Sequence, residues 1–261
     1  MICFYSLVPY SPLMLPSFKS THSGKISGTA KALNKLAEEL YLSKPDIVVV
    51  VADSDPDQPN TLINQSPKLS LDFSPLGDFQ TTVQYTGESL LTYQFRERLE
   101  TNYPSQIIHE EKLSYRYGLP LLALLKHLPN VQLIPITVGQ QDPATIIKMG
   151  EQLRQALDST AKRVAVIAIG VLSQTLKKKS PAGYVAEAKE YDHLVIDIIK
   201  TMDEKRLVEI GQELRKKVSE NLYSPLLFLF GVIDRSNVRS EVLAYEDTLG
   251  VGYLTVKFEL A

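Results

Sequence analysis

Cysteine and histidine are both scarce in this sequence: one cysteine, Cys3, and four histidines among 261 residues. A single thiol excludes an intramolecular disulfide, and its place inside an apolar run marks it as a buried structural thiol, not a reactive one. Neither sign of charge is in excess: 28 basic side chains meet 30 acidic ones, for a net charge of −2. That balance supplies no long-range attraction to nucleic acid or to an anionic membrane, so neither is an expected partner. No apolar run approaches the ~20 residues needed to span a bilayer. The longest, "SPLLFLFGVI" from Ser224, has the length of a buried core helix. No basic leader is present, and Pro9 and Pro12 interrupt the opening apolar stretch, so a cytoplasmic protein is expected.

Compact chemical motifs are missing as well. Paired C-x-x-C, H-E-x-x-H, a Walker A loop, G-x-G-x-x-G and G-x-S-x-G do not occur. His22, His109 and His127 stand alone, without ligand spacing. Glu190 and His193 form one E-x-x-H on a helix face, whereas a bundle-type di-iron site needs a second copy and two more glutamates. Asp53, Asp55 and Asp57 open like a calcium loop, but Gln58 stands where glycine is needed and Asn64 where a bidentate glutamate should close it. Ordinary Asp and Pro turn chemistry explains that stretch.

What is there is an alternation of strand-like and helix-like segments. Ile2–Val8, "DIVVVVAD" (46–53), "VQLIPITVG" (131–139) and "RVAVIAIG" (163–170) are continuous apolar runs, as in strands buried on both faces. Amphipathic stretches fall between them at 27–42, 87–102, 119–128 and 143–157. In the first, Ala30, Leu33, Ala37 and Leu40 form a stripe, and the last is opened by Asp142 as N-cap and Pro143. The pattern predicts an α/β fold: a central, mainly parallel, mixed sheet with helices on both faces. Helical segments from about 183 to 233 precede "EVLAYED" and "GVGYLTVKFEL", which read as adjacent strands turning near Thr248–Gly250. Without repeats, low-complexity tracts or a Gly/Ser linker, one domain over 1–261 is expected. The long irregular stretch 54–86 follows the strongest strand, and ligands of open α/β sheets bind beyond the carboxyl ends of strands.

Several segments, taken in order, resemble one family: "VPYSPLMLP", "PDIVVVVADSDP", "LSLDFSPLGDF", "YGLPLLALL", the block from Val164 to Val195 with "GVLSQ", "PAGY" and "EYD", and "EVLAYEDTLGVGYL". The chain resembles the catalytic subunit (B) type of class III extradiol ring-cleavage dioxygenases, in particular the Memo-like proteins of the AmmeMemoRadiSam system. The resemblance implies a non-haem Fe(II) held by two histidines and a glutamate, with a further histidine as acid/base. Carried over residue by residue, the first ligand's P-H-x-P turn reads Pro9-Tyr10-Ser11-Pro12, which puts Tyr10 at that position. The second ligand's turn reads Asp53-Ser54-Asp55, giving Ser54. The acid/base stretch Ser114–Tyr117 gives Tyr115, and a second-sphere histidine becomes Gln174. Only the glutamate of E-[FWY]-D is retained, as Glu190. The expectation is therefore a degenerate iron site with no cofactor, a protein that does not cleave rings, and a pocket built from Tyr10, Ser54, Asp55, Tyr115, Gln174 and Glu190. A small molecule or a protein partner is expected there, in a chain that can form homo-oligomers. The alternatives are an enzyme of altered chemistry, for example with an all-oxygen metal site at Asp53, Asp55 and Glu190, and a true non-haem iron extradiol dioxygenase whose ligands stand at other positions.

Overall fold

The structure, a computed structural model, describes residues 1–16, 24–234 and 237–260; His22 lies outside them. The chain opens with β1 (Ile2–Val8), α1 (Ser27–Leu42) and β2 (Ile47–Asp53). The stretch read as a long loop holds short strands, β3 (Thr61–Asn64), β4 (Lys68–Leu71) and β5 (Gln84–Gly87). Then come α2 (Leu90–Leu99), β6 (Ser105–Ile108), β7 (Lys112–Leu113) and α3 (Tyr115–Leu124). The parallel core is completed by β8 (Gln132–Val138), α4 (Pro143–Asp158) and β9 (Val164–Ile169). Four helices follow: α5 (Ala188–Thr201), α6 (Glu204–Val208), α7 (Gln212–Val218) and α8 (Tyr223–Val232). The chain ends in the antiparallel pair β10 (Val238–Glu246) and β11 (Tyr253–Leu260).

The eleven strands of the described residues join one mixed sheet. From its C-terminal edge the order is β10-β11-β1-β9-β2-β8, with β1, β9, β2 and β8 mutually parallel. The sheet divides at β8. Gln132 and Leu133 at its start pair with β5, whereas Ile136 and Thr137 near its end pair antiparallel with β3. A gap therefore opens beside the carboxyl end of β8, and a cleft lies there.

Alternation along β2 explains why its run is apolar throughout. Ile47, Val49 and Val51 enter a core shared with α2, α4, α5 and α8, while Val48, Val50 and Ala52 enter a second core under α1 and α3. Each fully buried side chain of this size contributes about 1.5–3 kcal/mol of burial. α8, all ten residues buried, crosses α4 so closely that a Cβ on Gly150 would stand 2.2 Å from the Phe228 carbonyl oxygen, and one on Gly231 2.0 Å from that of Ile147. Glycine at both crossing points sets how deep α8 lies, and with it the position of its amino end.

Two helices, at both their starts and their ends, and one stripe differ from the sequence pattern. The helix expected from Gly87 starts at Leu90, because Gly87 ends β5 and its N–H bonds the Pro67 carbonyl. The helix expected at Leu119 starts four residues earlier, so Pro120 is internal. In α1, Ala30 is exposed and Thr29 is buried, its N–H and hydroxyl both bonded to the Glu246 carboxylate.

Candidate active-site cleft

Three strand exits and one helix start converge beyond the carboxyl ends of β1, β2 and β9. After β1, the Ser11 hydroxyl accepts from Leu13 N and donates to the Tyr253 hydroxyl, which fixes the proline turn to β11. The turn aims Tyr10 inward. Its hydroxyl accepts a 2.6 Å hydrogen bond from Asn221 Nδ2, and its ring meets Tyr115 edge-on at 6.3 Å. After β2, Ser54 is buried: its N–H bonds the Val138 carbonyl, and its hydroxyl donates to the Asp55 carbonyl.

The loop after β9 grips the segment before α8. Val171 N donates to Asn221 Oδ1 at 2.8 Å, and Gln174 donates to the Val218 carbonyl through its backbone and to the Ser219 carbonyl through Nε2, at 2.6 Å. Ser219 has a positive φ of 55°, a left-handed turn that swings the next residue inward. That residue, Glu220, accepts from Leu222 N and Tyr223 N, both at 2.7 Å, and so satisfies free N–H groups at the start of α8. Ser224, one residue into the same turn, stands against the Asp53 carboxylate and favours its charged form.

Two buried carboxyls thus meet at the amino end of α8. Burial pushes Asp53 up to about 7, against the pull of Ser224, Arg116 and Arg215. Glu220 is likewise pushed up to about 7, by burial and by the nearby Asp53 charge. Arg215 stacks on the Tyr223 ring at 3.8 Å, with Nη1 4.0 Å from Glu220 Oε1. Asp53 Oδ1 and Arg215 Nε are buried without a hydrogen-bond partner.

Beside this cluster lies a cleft of about 500 Å³, lined by Asp53, Ser54, Tyr115 and Arg116 and framed by Leu62, Asn64, Asp72 and Pro75 of the 54–86 stretch. A larger hollow of about 660 Å³ at the opposite, amino ends of the strands includes Asp46, His127 and Lys162. It is shallow, and Lys162 there is spent on Glu88 and Gln132.

Of the expected pocket residues, Ser54, Asp55 and Tyr115 line the cleft and Tyr10 packs behind Tyr115. Asp55 stands at the rim, 84% exposed and 3.6 Å from Arg116. Gln174 is not in the cleft; it fastens the backbone that presents Glu220 and Asn221. Glu190 corrects the expectation: it is exposed in the first turn of α5, while Tyr191 and Asp192 of "EYD" are buried. The helix turns by about 100° per residue, so burying Tyr191 and Asp192 leaves Glu190 outside. Asp192 uses its carboxylate on Ser173 N and the Tyr245 hydroxyl. The glutamate whose side chain is buried beside Asp53 is Glu220, which sequence reasoning missed. Its signal was an acid and an amide standing just before the most apolar helix of the chain.

An Fe(II) facial triad needs two neutral imidazoles and a carboxylate around open positions. Tyr10 is pushed further above its ordinary value by burial, away from tyrosinate. Ser54 has no ionisable ligand form near neutrality, and Glu190 is exposed on α5 and does not line the cleft. Asp53, Asp55 and Glu190 do not converge either; among the described residues no three His, Cys, Asp or Glu side chains are grouped to hold a metal ion. The residues present at these positions do not fit the iron that the resemblance implies.

Comparison with known proteins agrees with the resemblance. Protein CA_C1420 of Clostridium acetobutylicum is 20% identical over 98% of this chain, which spans 57% of that protein's length. A MEMO1 family protein of Archaeoglobus fulgidus is 29% identical over 44% of this chain and 41% of its own. The crystal structure of uncharacterized protein JW3007 from Escherichia coli K12 shares the fold, with a TM-score of 0.68 at 16% identity over 98% of this chain and 99% of that one. Residues 5–256 match the family described as the catalytic LigB subunit of aromatic ring-opening dioxygenase, and the chain belongs to that family.

Proposed function

We propose that this LigB-family protein binds a small molecule in the cleft beside Asp53 and does not open aromatic rings. The observation that carries this reading is the chemistry at the implied ligand positions: a half-buried phenol at Tyr10, a hydroxyl at Ser54, and an exposed Glu190. Neutral imidazoles bind Fe(II) and leave open faces; a protonated phenol and an alcohol do not. The reading extends to one cytoplasmic domain over 1–261 that needs no resident cofactor. The near-neutral charge supports partners other than nucleic acid or membrane, and among the described residues no helix is long and apolar enough to cross one. The test is anaerobic reconstitution with Fe(II), then elemental analysis and oxygen uptake with catechols. Well under one iron per chain and no oxygen uptake are expected; a one-to-one iron complex that consumes oxygen with catechols defeats the proposal.

A second reading has its own support. Two carboxyls held at about 7 suit general acid–base catalysis at neutral pH, and Asp53 lines the cleft. On this reading the protein is an enzyme of altered chemistry, with Asp53 moving the proton and Glu220 repelling its charge. Loss of a turnover reaction in Asp53→Asn, with ligand binding retained, separates it from pure binding.

A further inference from the structure

We infer that two copies of this chain join through β10, edge to edge and antiparallel, with the two-fold axis at Ser240. The inference lies outside the cleft and does not depend on what the cleft binds. β10 ends the sheet: among the described residues β11 is its one strand partner, so its outer edge faces no other strand. It runs for nine residues, whereas β7 at the other end of the sheet has two. An open edge of that length is a template for another strand unless its side chains oppose pairing.

The regular part of β10 is Val238–Val242, which pairs one to one with residues 260 back to 256 of β11. Beyond it the register shifts between Val242 and Ala244. Such a bulge bends the strand and bounds the segment open to a partner. Ser240 is the centre of that segment. Its hydroxyl donates to the Ile199 carbonyl of α5, so this small residue does not block the approach. A two-fold axis normal to the sheet keeps each face on its own side, so it passes through a residue and not between two. Centred on Ser240, it sets Val238 opposite the partner's Val242 and Arg239 opposite the partner's Glu241.

Charge selects this register. Arg239 and Glu241 are both exposed and share the α1 side of the strand, where Lys35 reaches Glu241 at 3.1 Å. That surface pair leaves Glu241 47% exposed and is worth little by itself. Across β11, Arg239 stands opposite Glu259 and Glu241 opposite Lys257, so each row already alternates in sign. A partner centred on Ser240 continues both rows, because its Glu241 follows Arg239 and its Arg239 follows Glu241. Moving the axis to Arg239 or to Glu241 sets two like charges face to face, which disfavours pairing. Five residues a side bury well under the ~800 Å² per partner of a standard interface, so the dimer is weak and concentration-dependent. The joint also braces the loop after β9: Tyr245 of β10 bonds Asp192, which holds Ser173 N.

The experiment is sedimentation velocity of the full chain across micromolar to millimolar concentration. The parent should pass from monomer to dimer in that range, and raising salt from ~0.05 to ~0.5 M should weaken the dimer several-fold. Arg239→Glu and Glu241→Arg should each stay monomeric, because each sets like charges opposite like. Mixed in equal amounts, the two variants should form a heterodimer, since the acids of one then face the bases of the other. Thermal melts check that each variant is folded; if one is not, the parent's concentration and salt dependence decides. A parent that stays monomeric at millimolar concentration overturns the inference, as does a dimer that tightens with salt. A dimer that survives in both single variants, or folded variants whose mixture stays monomeric, overturns it as well.

Discussion

Asn221 donates its side-chain amide to the Tyr10 hydroxyl across 2.6 Å and accepts Val171 N at 2.8 Å with the other end of the same group. Two strand exits, more than 150 residues apart in sequence, are thus joined by one amide at the start of α8. Asn221→Ala breaks both bonds and leaves a buried N–H unpaired. It should cost about 2–3 kcal/mol of unfolding free energy by urea denaturation. Tyr10→Phe, which removes only one bond and keeps the ring against Tyr115, should cost about 1 kcal/mol. An Asn221→Ala variant as stable as its parent contradicts this joint.

Stability should fall as pH rises through mild acidity. Asp53 and Glu220 have ordinary values of 3.8 and 4.5 and stand at about 7 in the fold. Between those limits the folded chain keeps protons that the unfolded chain has released, so raising the pH favours unfolding, and the effect is complete above about 7. The slope should be on the order of 1 kcal/mol per pH unit. Asp53→Asn should flatten it and be the more stable protein at pH 8. Denaturation curves at pH 5 and pH 8 give the answer; a parent more stable at pH 8 than at pH 5 reverses the sign.

The two glutamates should behave differently. Glu190 is exposed, so Glu190→Gln should change stability by less than ~0.5 kcal/mol and leave its pH dependence intact. Glu220→Gln keeps an acceptor for the α8 N–H groups, removes the buried acid, and should reduce the pH slope. Identical pH profiles for the Glu220→Gln variant and the parent would show that Glu220 is not the buried acid of the cluster.

Glycine at the α4–α8 crossing gives a prediction against helix propensity. In an exposed helix, Gly→Ala stabilises by up to ~1 kcal/mol. At Gly150 the added Cβ would meet the Phe228 carbonyl oxygen at 2.2 Å, so one helix must move. Gly150→Ala should lower stability by about 1–3 kcal/mol and displace the start of α8, with its Glu220 cap. Thermal melting checks the first part. Chemical shifts of Leu222 and Tyr223 amides check the second.

Local pattern was enough for the core of this fold. The β-branched run 47–53 is apolar at consecutive positions because both sheet faces are covered, and no tertiary information is needed to see that. β1 and α1 were legible to the residue, as was the Asp142 cap, which accepts from Thr145 N. The short strands inside 54–86 were not, because four-residue segments gain little from their own pattern and form by pairing with β8, β6 and β7.

For the site, the sequence by itself determined the residue types at the strand exits: a phenol at Tyr10, a hydroxyl at Ser54, and no histidine in either turn. Tertiary structure decided which carboxylate joins them. Glu190 and Glu220 both stand near a helix start, and composition does not separate them. The left-handed turn at Ser219, the grip of Gln174 and Val171, and the glycine-set depth of α8 bring Glu220 beside Asp53. The faces of α5 that bury Tyr191 and Asp192 turn Glu190 to water. A side chain's neighbours across the fold, set by packing of whole helices, are not written in the residues next to it.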